Sequence, residues 1–310
     1  MKQSRRQFLN SMAVSAGTIV LTEPGTPKPG LRSFPISCNQ YSWITFYERA
    51  GKDWGKDLDA SLEAFASSGI KAYEPAFNNP KEVWDLLPLL IRHGLEMPSV
   101  YVSSVLHRSG EAAKSISDVL AIAKVAKSAG TRIIATNPNP IQWGSGKNKS
   151  DEELTEQARN LDLLGAELKK QGMTLAYHMH DVEMRAAARE FHHMMLSTDP
   201  KHVSLCLDVH WAYRGSGNSQ VALFDIVKLY GKRIIELHLR QSKDGIWQET
   251  FQEGDISYGR LAATLHALNV KPLLVLEQCL EKDSPITMNA VQAHQQDLAY
   301  CRSVFGSQYH

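Results

Sequence analysis

The segment SDEELTEQARNLDLLGAELKKQG, residues 150–172, and the segment MTLAYHMH that follows it, residues 173–180, decide the fold of this chain. Ser150 or Asp151, with Glu153 close behind, is typical of a helix N-terminus, where a short polar side chain caps free backbone N–H groups. The apolar run of the second segment predicts a β-strand. The two segments therefore predict a helix that leads directly into a strand.

The same alternation of β-rich and helical segments continues from residue 34 to residue 305. Strands are predicted over 34–43, 70–77, 96–104, 132–140, 173–180, 203–211, 233–242 and 272–280. Helices are predicted over 58–69, 80–94, 111–130, 150–172, about 184–196, 219–231, 260–269 and about 288–305. Several helices end at a glycine, the residue expected just beyond a helix C-terminus: Gly69, Gly94, Gly130, Gly172 and Gly231.

Eight strand–helix units in one chain predict the fold class α/β, with a parallel sheet. Because eight units in some 280 residues fit a closed barrel, we predict a (β/α)₈ TIM barrel that forms a single catalytic domain over residues 33–310. An open doubly wound sheet is the alternative. That fold usually has a glycine-rich turn after its first strand, and the segment SCNQYSWITF has none.

Composition argues against several classes of function. A net charge of +1 and an isoelectric point near 7.7 give no electrostatic reason to expect a nucleic-acid partner. The four cysteines lie far apart and form no C-x-x-C pair. We therefore expect buried free thiols rather than disulfides or a zinc-finger-type site.

The N-terminal segment, residues 1–32, resembles a twin-arginine export signal and linker. Arg5 and Arg6 precede a short, weakly apolar stretch and then the polar, proline- and glycine-rich run TEPGTPKPG. The apolar stretch is too short to span a bilayer, so stable membrane insertion is not expected. The signal predicts a periplasmic or otherwise exported protein, and the twin-arginine route suits a protein that folds around a cofactor before export.

Polar side chains occur at the ends of the predicted strands, where a barrel places its active site. Four consecutive strands carry an imidazole or a carboxylate after a buried apolar run, and buried carboxylates are costly unless they are paired or bind a metal. The sequence therefore predicts a divalent cation held by His178, Asp208, His238 and Glu277. Each residue alone could be structural: Asp208 could cap a loop, and Glu277 could pair with Arg240.

Four motifs resemble the sugar isomerase/epimerase branch of the xylose isomerase-like TIM barrels. They are LDVHW at 207–211, LHLRQS at 237–242, GDISY at 254–258 and LVLEQ at 274–278. The resemblance covers about residues 34–305. It implies one divalent metal held by Glu, Asp, His and Glu on strands five to eight, and Asp208, His238 and Glu277 match the last three.

The fifth strand departs from that pattern, because His178 in YHMH replaces the glutamate. This motif resembles the YHNH variant of a secreted subgroup. His180 and Glu183 remain alternatives to His178 as the metal ligand. A ligand set of two imidazoles and two carboxylates favours Mn²⁺, Co²⁺, Fe²⁺ or Zn²⁺ over Mg²⁺, with Mn²⁺ the first expectation.

The resemblance implies a metal-dependent sugar isomerase or epimerase that acts through an enediolate on a small carbohydrate. Glu277 would move a proton on one face of the sugar, and His178, His180 or Glu74 would serve the other. The expected substrate contacts are His210, Arg240, Asn137 and Trp211.

Three other functions stay open at this point. Because the fifth strand lacks the second carboxylate, a keto-sugar lyase or dehydratase is a close alternative. A non-catalytic sugar-binding barrel is another alternative, although such a protein would be expected to have lost its metal-binding residues. Phosphodiesterase or endonuclease activity would need more ligands and a basic surface. The sequence shows no glycine-rich phosphate loop, which disfavours sugar phosphates, and it leaves open self-association into a homo-oligomer.

Overall fold

The structure, a computed structural model, describes residues 36–306. Eight parallel strands form the barrel: β1 (Ser37–Asn39), β2 (Ala72–Glu74), β3 (Ser99–Tyr101), β4 (Ile133–Thr136), β5 (Thr174–His178), β6 (Val203–Asp208), β7 (Ile234–Leu239) and β8 (Leu273–Leu276). The prediction of a single-domain (β/α)₈ barrel is confirmed. The export signal predicted for residues 1–32 lies outside the described residues and stays a prediction.

Helices surround the strands. Within residues 36–306 they are α1 (Gln40–Arg49), α2 (Leu58–Ser67), α3 (Pro80–His93), α4 (Ser109–Ser128), α5 (Asp151–Lys170), α6 (Arg185–Ser197), α7 (Val209–Gly215), α8 (Gln220–Tyr230), α9 (Tyr258–Ala267) and α10 (Ala290–Phe305). A hairpin of two short strands, Ser242–Lys243 and Ile246–Trp247, follows β7. None of the helices in this part of the chain is long and apolar enough to cross a membrane.

The strands pair in the order β2-β1-β8-β7-β6-β5-β4-β3. Single backbone bridges, rather than a continuous ladder, connect β2 to β3 and close the barrel, as between Ala76 and Tyr101. Pro75 and Pro98 lie in these two segments and have no N–H to donate, which explains the interrupted pairing. The backbone bonds that remain lie beside them, such as Tyr73 N–H to Glu96 O at 2.9 Å.

The helix-end signals in the sequence are confirmed at both ends of α5 but not at the end of α8. Ser150 and Glu153 form the predicted capping box at the start of α5. Gly172 lies beyond its end with φ of +73°, in the left-handed region that glycine adopts easily. Gly231, predicted to end α8 in the same way, instead continues into a short 3₁₀ turn with φ of −52°.

Two predicted strands continue into residues that form helices. Residues 34–43 and 203–211 were expected to be strands, but β1 ends at Asn39 and β6 ends at Asp208. In both cases the last strand residue accepts a hydrogen bond from a following backbone N–H and starts a helix. His210 therefore lies on α7, and the prediction that it belongs to the sixth strand is wrong.

The apolar core has two parts, because strand side chains alternate between the barrel interior and the surrounding helices. The larger part lies between strands and helices, and the smaller consists of Ala135, Ala176 and Cys206. Small side chains in the interior leave room for the polar groups above them. The four cysteines are all free and buried, which confirms the expectation from their spacing.

Gly165 lies in the middle of α5, where α5 packs against the turn that precedes β6. A Cβ atom at this position would lie 2.3 Å from the carbonyl oxygen of His202. Glycine in a helix interior costs about 1 kcal/mol relative to alanine. The close approach of two backbones therefore explains this glycine.

We predict that Gly165→Ala lowers the free energy of unfolding by about 1–3 kcal/mol, because overpacking against the backbone outweighs the gain in helix propensity. Thermal and denaturant unfolding measure the change. Gly259→Ala is the matched control, since a Cβ there meets nothing within 4 Å. A Gly165→Ala protein as stable as wild type would contradict the packing argument.

Candidate metal centre

Four predicted ligands meet at the C-terminal end of the barrel. His178 ends β5, Asp208 ends β6, His238 lies in β7, and Glu277 directly follows β8. One ligand atom of each lies within 4.8 Å of the ligand atoms of the other three. All four residues are buried, and Glu277 is the most exposed at 8%. The structure thus brings together the complete set expected from the sequence.

Unpartnered polar atoms in this cluster fit a cation. Both ring nitrogens of His178 and the Oδ2 atom of Asp208 are buried without a hydrogen-bond partner. His178 Nε2 lies 3.7 Å from Asp208 Oδ2. The other oxygen of Asp208 caps α7 by accepting from the Trp211 N–H at 2.7 Å. Because buried polar atoms are normally paired, a divalent cation bound by two imidazoles and two carboxylates fits these donors.

His238 has a carboxylate at each ring nitrogen. Its Nδ1 lies 3.0 Å from Glu277 Oε2, and its Nε2 lies 3.1 Å from Glu74 Oε2. Glu74 is fixed in turn by Asn39 Nδ2 at 2.7 Å and by the Ser99 hydroxyl at 2.9 Å. Burial would raise the pKa of Glu74, but His238 and these hydrogen bonds outweigh burial and lower it. Such a carboxylate typically orients a metal-binding imidazole from behind.

Glu236 is a residue that sequence reasoning missed. It is fully buried in β7, and its Oε1 lies 3.6 Å from His238 Nε2. Burial, together with the neighbouring Glu74, raises its pKa. An acidic residue two positions before His238 in an apolar strand, IIELHL, was the signal, because it must point to the same face as that histidine.

Arg240 holds Glu277 from the side. Its Nε donates to the Glu277 carbonyl oxygen at 2.8 Å, and its Nη2 lies 3.1 Å from Glu277 Oε2. The guanidinium also stacks on Trp247, 4.2 Å from the ring centroid. Burial would lower its pKa, but the neighbouring Cys279 and Glu277 outweigh burial and raise it. The structure thus shows Arg240 in an ion pair with Glu277, which is the structural alternative to its predicted role as a substrate contact.

His180 and Glu183 lie beyond the end of β5, in the loop that leads to α6. The His180 backbone N–H donates to Glu183 Oε2 at 2.7 Å, and Asn137 Nδ2 donates to Glu183 Oε1 at 3.1 Å. Asn137 also donates to the His178 carbonyl oxygen at 3.1 Å. Burial and Glu190 raise the pKa of Glu183 to about 7. Both oxygens of Glu183 are therefore engaged in holding the loop, outside the four-residue cluster.

Aromatic side chains line the approach to the cluster. The ring of His180 lies 4.7 Å from that of His178, 5.2 Å from Trp143 and 5.9 Å from Trp211, centroid to centroid. Trp143, which sequence reasoning missed, is 53% exposed. Burial and the charge of His178 lower the pKa of His180 well below its usual value. His180 is thus a neutral imidazole between the metal cluster and an aromatic wall.

His210 is held away from the cluster by its own hydrogen bonds. Its Nε2 lies 3.0 Å from the Ser242 hydroxyl, which donates to Asp255 Oδ2 at 2.7 Å. Burial, followed by the charge of Arg240, lowers the pKa of His210 to about 3. His210 therefore joins α7 to the hairpin after β7 as a neutral group.

The comparisons with known proteins agree with this arrangement. A family model described as a xylose isomerase-like TIM barrel matches residues 62–304, which is most of the chain. The chain belongs to the xylose isomerase-like TIM barrel family. The resemblance drawn from the four motifs is confirmed at this level. The narrower likeness to a secreted subgroup rests on YHMH and stays a prediction.

Solved structures of this family share the fold at low sequence identity. A sugar phosphate isomerase/epimerase from Parabacteroides distasonis is 16% identical, with a TM-score of 0.67 over 86% of this chain and 93% of that one. A xylose isomerase-like TIM barrel protein from Mycobacterium smegmatis in complex with magnesium is 12% identical, with a TM-score of 0.66 over 91% and 99%.

A third solved structure is a 3-keto-D-glucoside 4-epimerase from E. coli, which is 13% identical. Its TM-score is 0.61 over 87% of this chain and 99% of that one. No match was found among curated proteins. At these sequence identities the likenesses establish the fold alone.

We predict that the purified protein binds about one divalent cation per chain and that His178→Ala and Asp208→Asn each weaken binding at least about tenfold, because each variant removes a donor atom. Mn²⁺ titration by calorimetry and metal analysis by plasma mass spectrometry measure this.

Asp297→Asn is the matched control for this titration. Asp297 is a fully buried carboxylate that accepts from the Phe251 N–H at 2.6 Å, outside the cluster. The control should bind Mn²⁺ like wild type. Unchanged affinity in both cluster variants would show that the cation, if bound, lies elsewhere.

Proposed function

We propose that this protein is a divalent-metal-dependent sugar isomerase or epimerase that moves a proton on a carbon beside a sugar carbonyl. The observation that carries the proposal is the cluster of four buried donors with unpartnered atoms at the catalytic end of the barrel. His178, Asp208, His238 and Glu277 would hold the cation. When bound, it would polarise the substrate carbonyl and make the neighbouring C–H more acidic.

Glu277 is the side chain that we assign as the proton-transferring base on one face of the substrate. It is the most exposed of the four donors, and it lies just beyond the end of β8, where the barrel opens. Arg240 and His238 fix its Oε2 atom from two sides, at 3.1 Å and 3.0 Å. A positioned carboxylate of this kind can remove the proton and leave an enediolate.

His180 is the group that we assign to the opposite face. Its imidazole is partly buried beside His178 and faces the aromatic wall of Trp143 and Trp211. With a pKa well below its usual value, this imidazole is neutral near pH 7 and can accept a proton as a general base. Glu74, the other candidate for this role, is 0% exposed behind His238 and bonded to Asn39 and Ser99. We therefore assign Glu74 to positioning His238.

The substrate class that we propose is a keto sugar or a keto-glycoside. The solved relatives include a 3-keto-D-glucoside 4-epimerase and a D-psicose 3-epimerase crystallised with D-tagatose. The exposed Trp143 and partly buried Trp211 beside His180 suit contact with a sugar face. The export signal predicted at residues 1–32 adds that such a substrate would be met outside the cytoplasm.

A keto-sugar lyase or dehydratase is a second candidate, and one observation favours it. The second carboxylate of an epimerase pair is missing here, because the fifth strand provides His178 and both oxygens of Glu183 are engaged by the protein. A β-elimination needs one base and an acid for the leaving group. Glu277 with His180 supplies these two roles.

The test is deuterium exchange in D₂O, followed by NMR on ketoses and 3-keto-glucosides with saturating Mn²⁺. Wild type should exchange one C–H and form an epimer or isomer. Glu277→Gln should lose exchange by about 10²–10⁴-fold, because general base catalysis contributes this much. His180→Gln should still exchange the proton but form the epimer at least about tenfold more slowly.

His192→Gln is the control, because His192 lies in α6 and its Nδ1 bonds the Tyr230 hydroxyl at 2.7 Å, away from the cluster. Release of a β-substituent instead of an epimer would establish the lyase. Exchange that survives in Glu277→Gln at full metal occupancy would contradict the assignment of the base.

A further inference from the structure

Cys206 lies inside the barrel, directly below the four-donor cluster. It is fully buried and precedes Asp208 by two residues in β6, so both side chains point to the interior. In the parallel pairing, Cys206 is the partner of His178 on one side and of Glu236 on the other. Its Sγ atom and one ring nitrogen each of His178 and His238 lie within 4.8 Å of one another.

His178 gives a separate reason to expect a ligand beside this thiol. Both of its ring nitrogens are buried without a hydrogen-bond partner, and the residue is 1% exposed. The Glu236 carboxylate, which is paired with Cys206 in the sheet, also has no hydrogen-bond partner on either oxygen. Buried polar atoms of this kind normally have a partner.

The donors form two overlapping sets of different chemical character. His178 and His238 belong to both, while Asp208 and Glu277 complete one set with oxygen and Cys206 completes the other with sulfur. Thiolate donors select Zn²⁺ and other thiophilic metals, whereas carboxylates suit Mn²⁺ and Mg²⁺. Among the described residues, Cys206 is the cysteine that the geometry places in such a group.

We propose that His178, Cys206 and His238 form a second, thiolate-containing cation site that captures Zn²⁺ in competition with the carboxylate site above it. Cys206 would bind as the thiolate, so the thiol would release its proton to solvent on binding. Because the two sites share both histidines, Zn²⁺ bound through Cys206 would withdraw these ligands from the upper site. Zn²⁺ would therefore act as an inhibitor that competes with Mn²⁺. Zn²⁺ capture goes beyond the proposed function and depends only on the donor geometry, whereas the inhibition by Zn²⁺ rests on the proposed function.

Co²⁺ is the spectroscopic probe for this site, because a thiolate ligand gives Co²⁺ a charge-transfer band in the near ultraviolet. Metal-free full-length protein is titrated anaerobically with Co²⁺. Wild type should show the band at one equivalent, and Cys206→Ser should lose it. Cys301→Ser is the matched control, a fully buried thiol in α10, and it should keep the band.

Zn²⁺ and Mn²⁺ affinities provide the second readout. In Cys206→Ser, the Kd for Zn²⁺ should rise at least about tenfold, while the Kd for Mn²⁺ should change less than about twofold, since the carboxylate site keeps all its donors. Thermal unfolding checks that the variant is folded, and Cys206→Ala replaces it if it is not.

Three results would overturn the proposal: wild type without the band, a band that persists in Cys206→Ser, or a Zn²⁺ affinity that the variant leaves unchanged. Failure of this site is distinguishable from failure of the proposed function. If only the thiolate site fails, wild type still binds Mn²⁺ through the four-donor cluster. If the proposed function fails, wild type does not bind Mn²⁺ there.

Discussion

The arrangement of the barrel end depends on the imidazole of His238. One ring nitrogen faces Glu277 and the other faces Glu74, so a single side chain connects the mouth of the barrel to its interior. Asn39 and Ser99 hold Glu74, which places β1, β2, β3 and β7 in one hydrogen-bonded network. The orientation of the candidate metal ligand is thus set by strands on the other side of the barrel.

The burial of so many ionisable groups has a cost that the fold must offset. A carboxylate without a partner in a protein interior is destabilising by several kcal/mol. The Arg240 guanidinium offsets part of this cost at Glu277. The Trp211 N–H at the start of α7 offsets part of it at Asp208. At His178 and Glu236 the neighbouring groups, Asp208 Oδ2 at 3.7 Å and His238 Nε2 at 3.6 Å, lie beyond hydrogen-bond distance. A protein that keeps unpartnered donors at these positions gives up stability there, which is the usual condition of a functional site.

Much of this fold could be predicted from local signals, because helix caps, glycines and apolar runs act over a few residues. The Ser150–Glu153 capping box and the eight strand–helix units are of this kind. The residue at which a strand ends and a helix begins is harder to predict from sequence, since Asp208 is equally compatible with a strand residue, a metal ligand and a helix cap. Trp143 was missed because its neighbour His180 is distant in sequence and close only in the folded barrel. Glu236 was missed although strand alternation with His238 was a local signal for it.

The histidine at the end of β5 has consequences for both the metal and the reaction. Replacing a glutamate by His178 removes one negative charge from the ligand set and puts a nitrogen donor next to Cys206 in the neighbouring strand. The same replacement leaves the fifth strand without a carboxylate for a second proton transfer, and His180, whose ring lies 4.7 Å from that of His178, is near enough to take the role proposed for it. We therefore propose that a softer metal preference and an imidazole as second proton carrier both derive from this one residue. In that proposal, the choice between epimerase and lyase chemistry is coupled to the choice of cation.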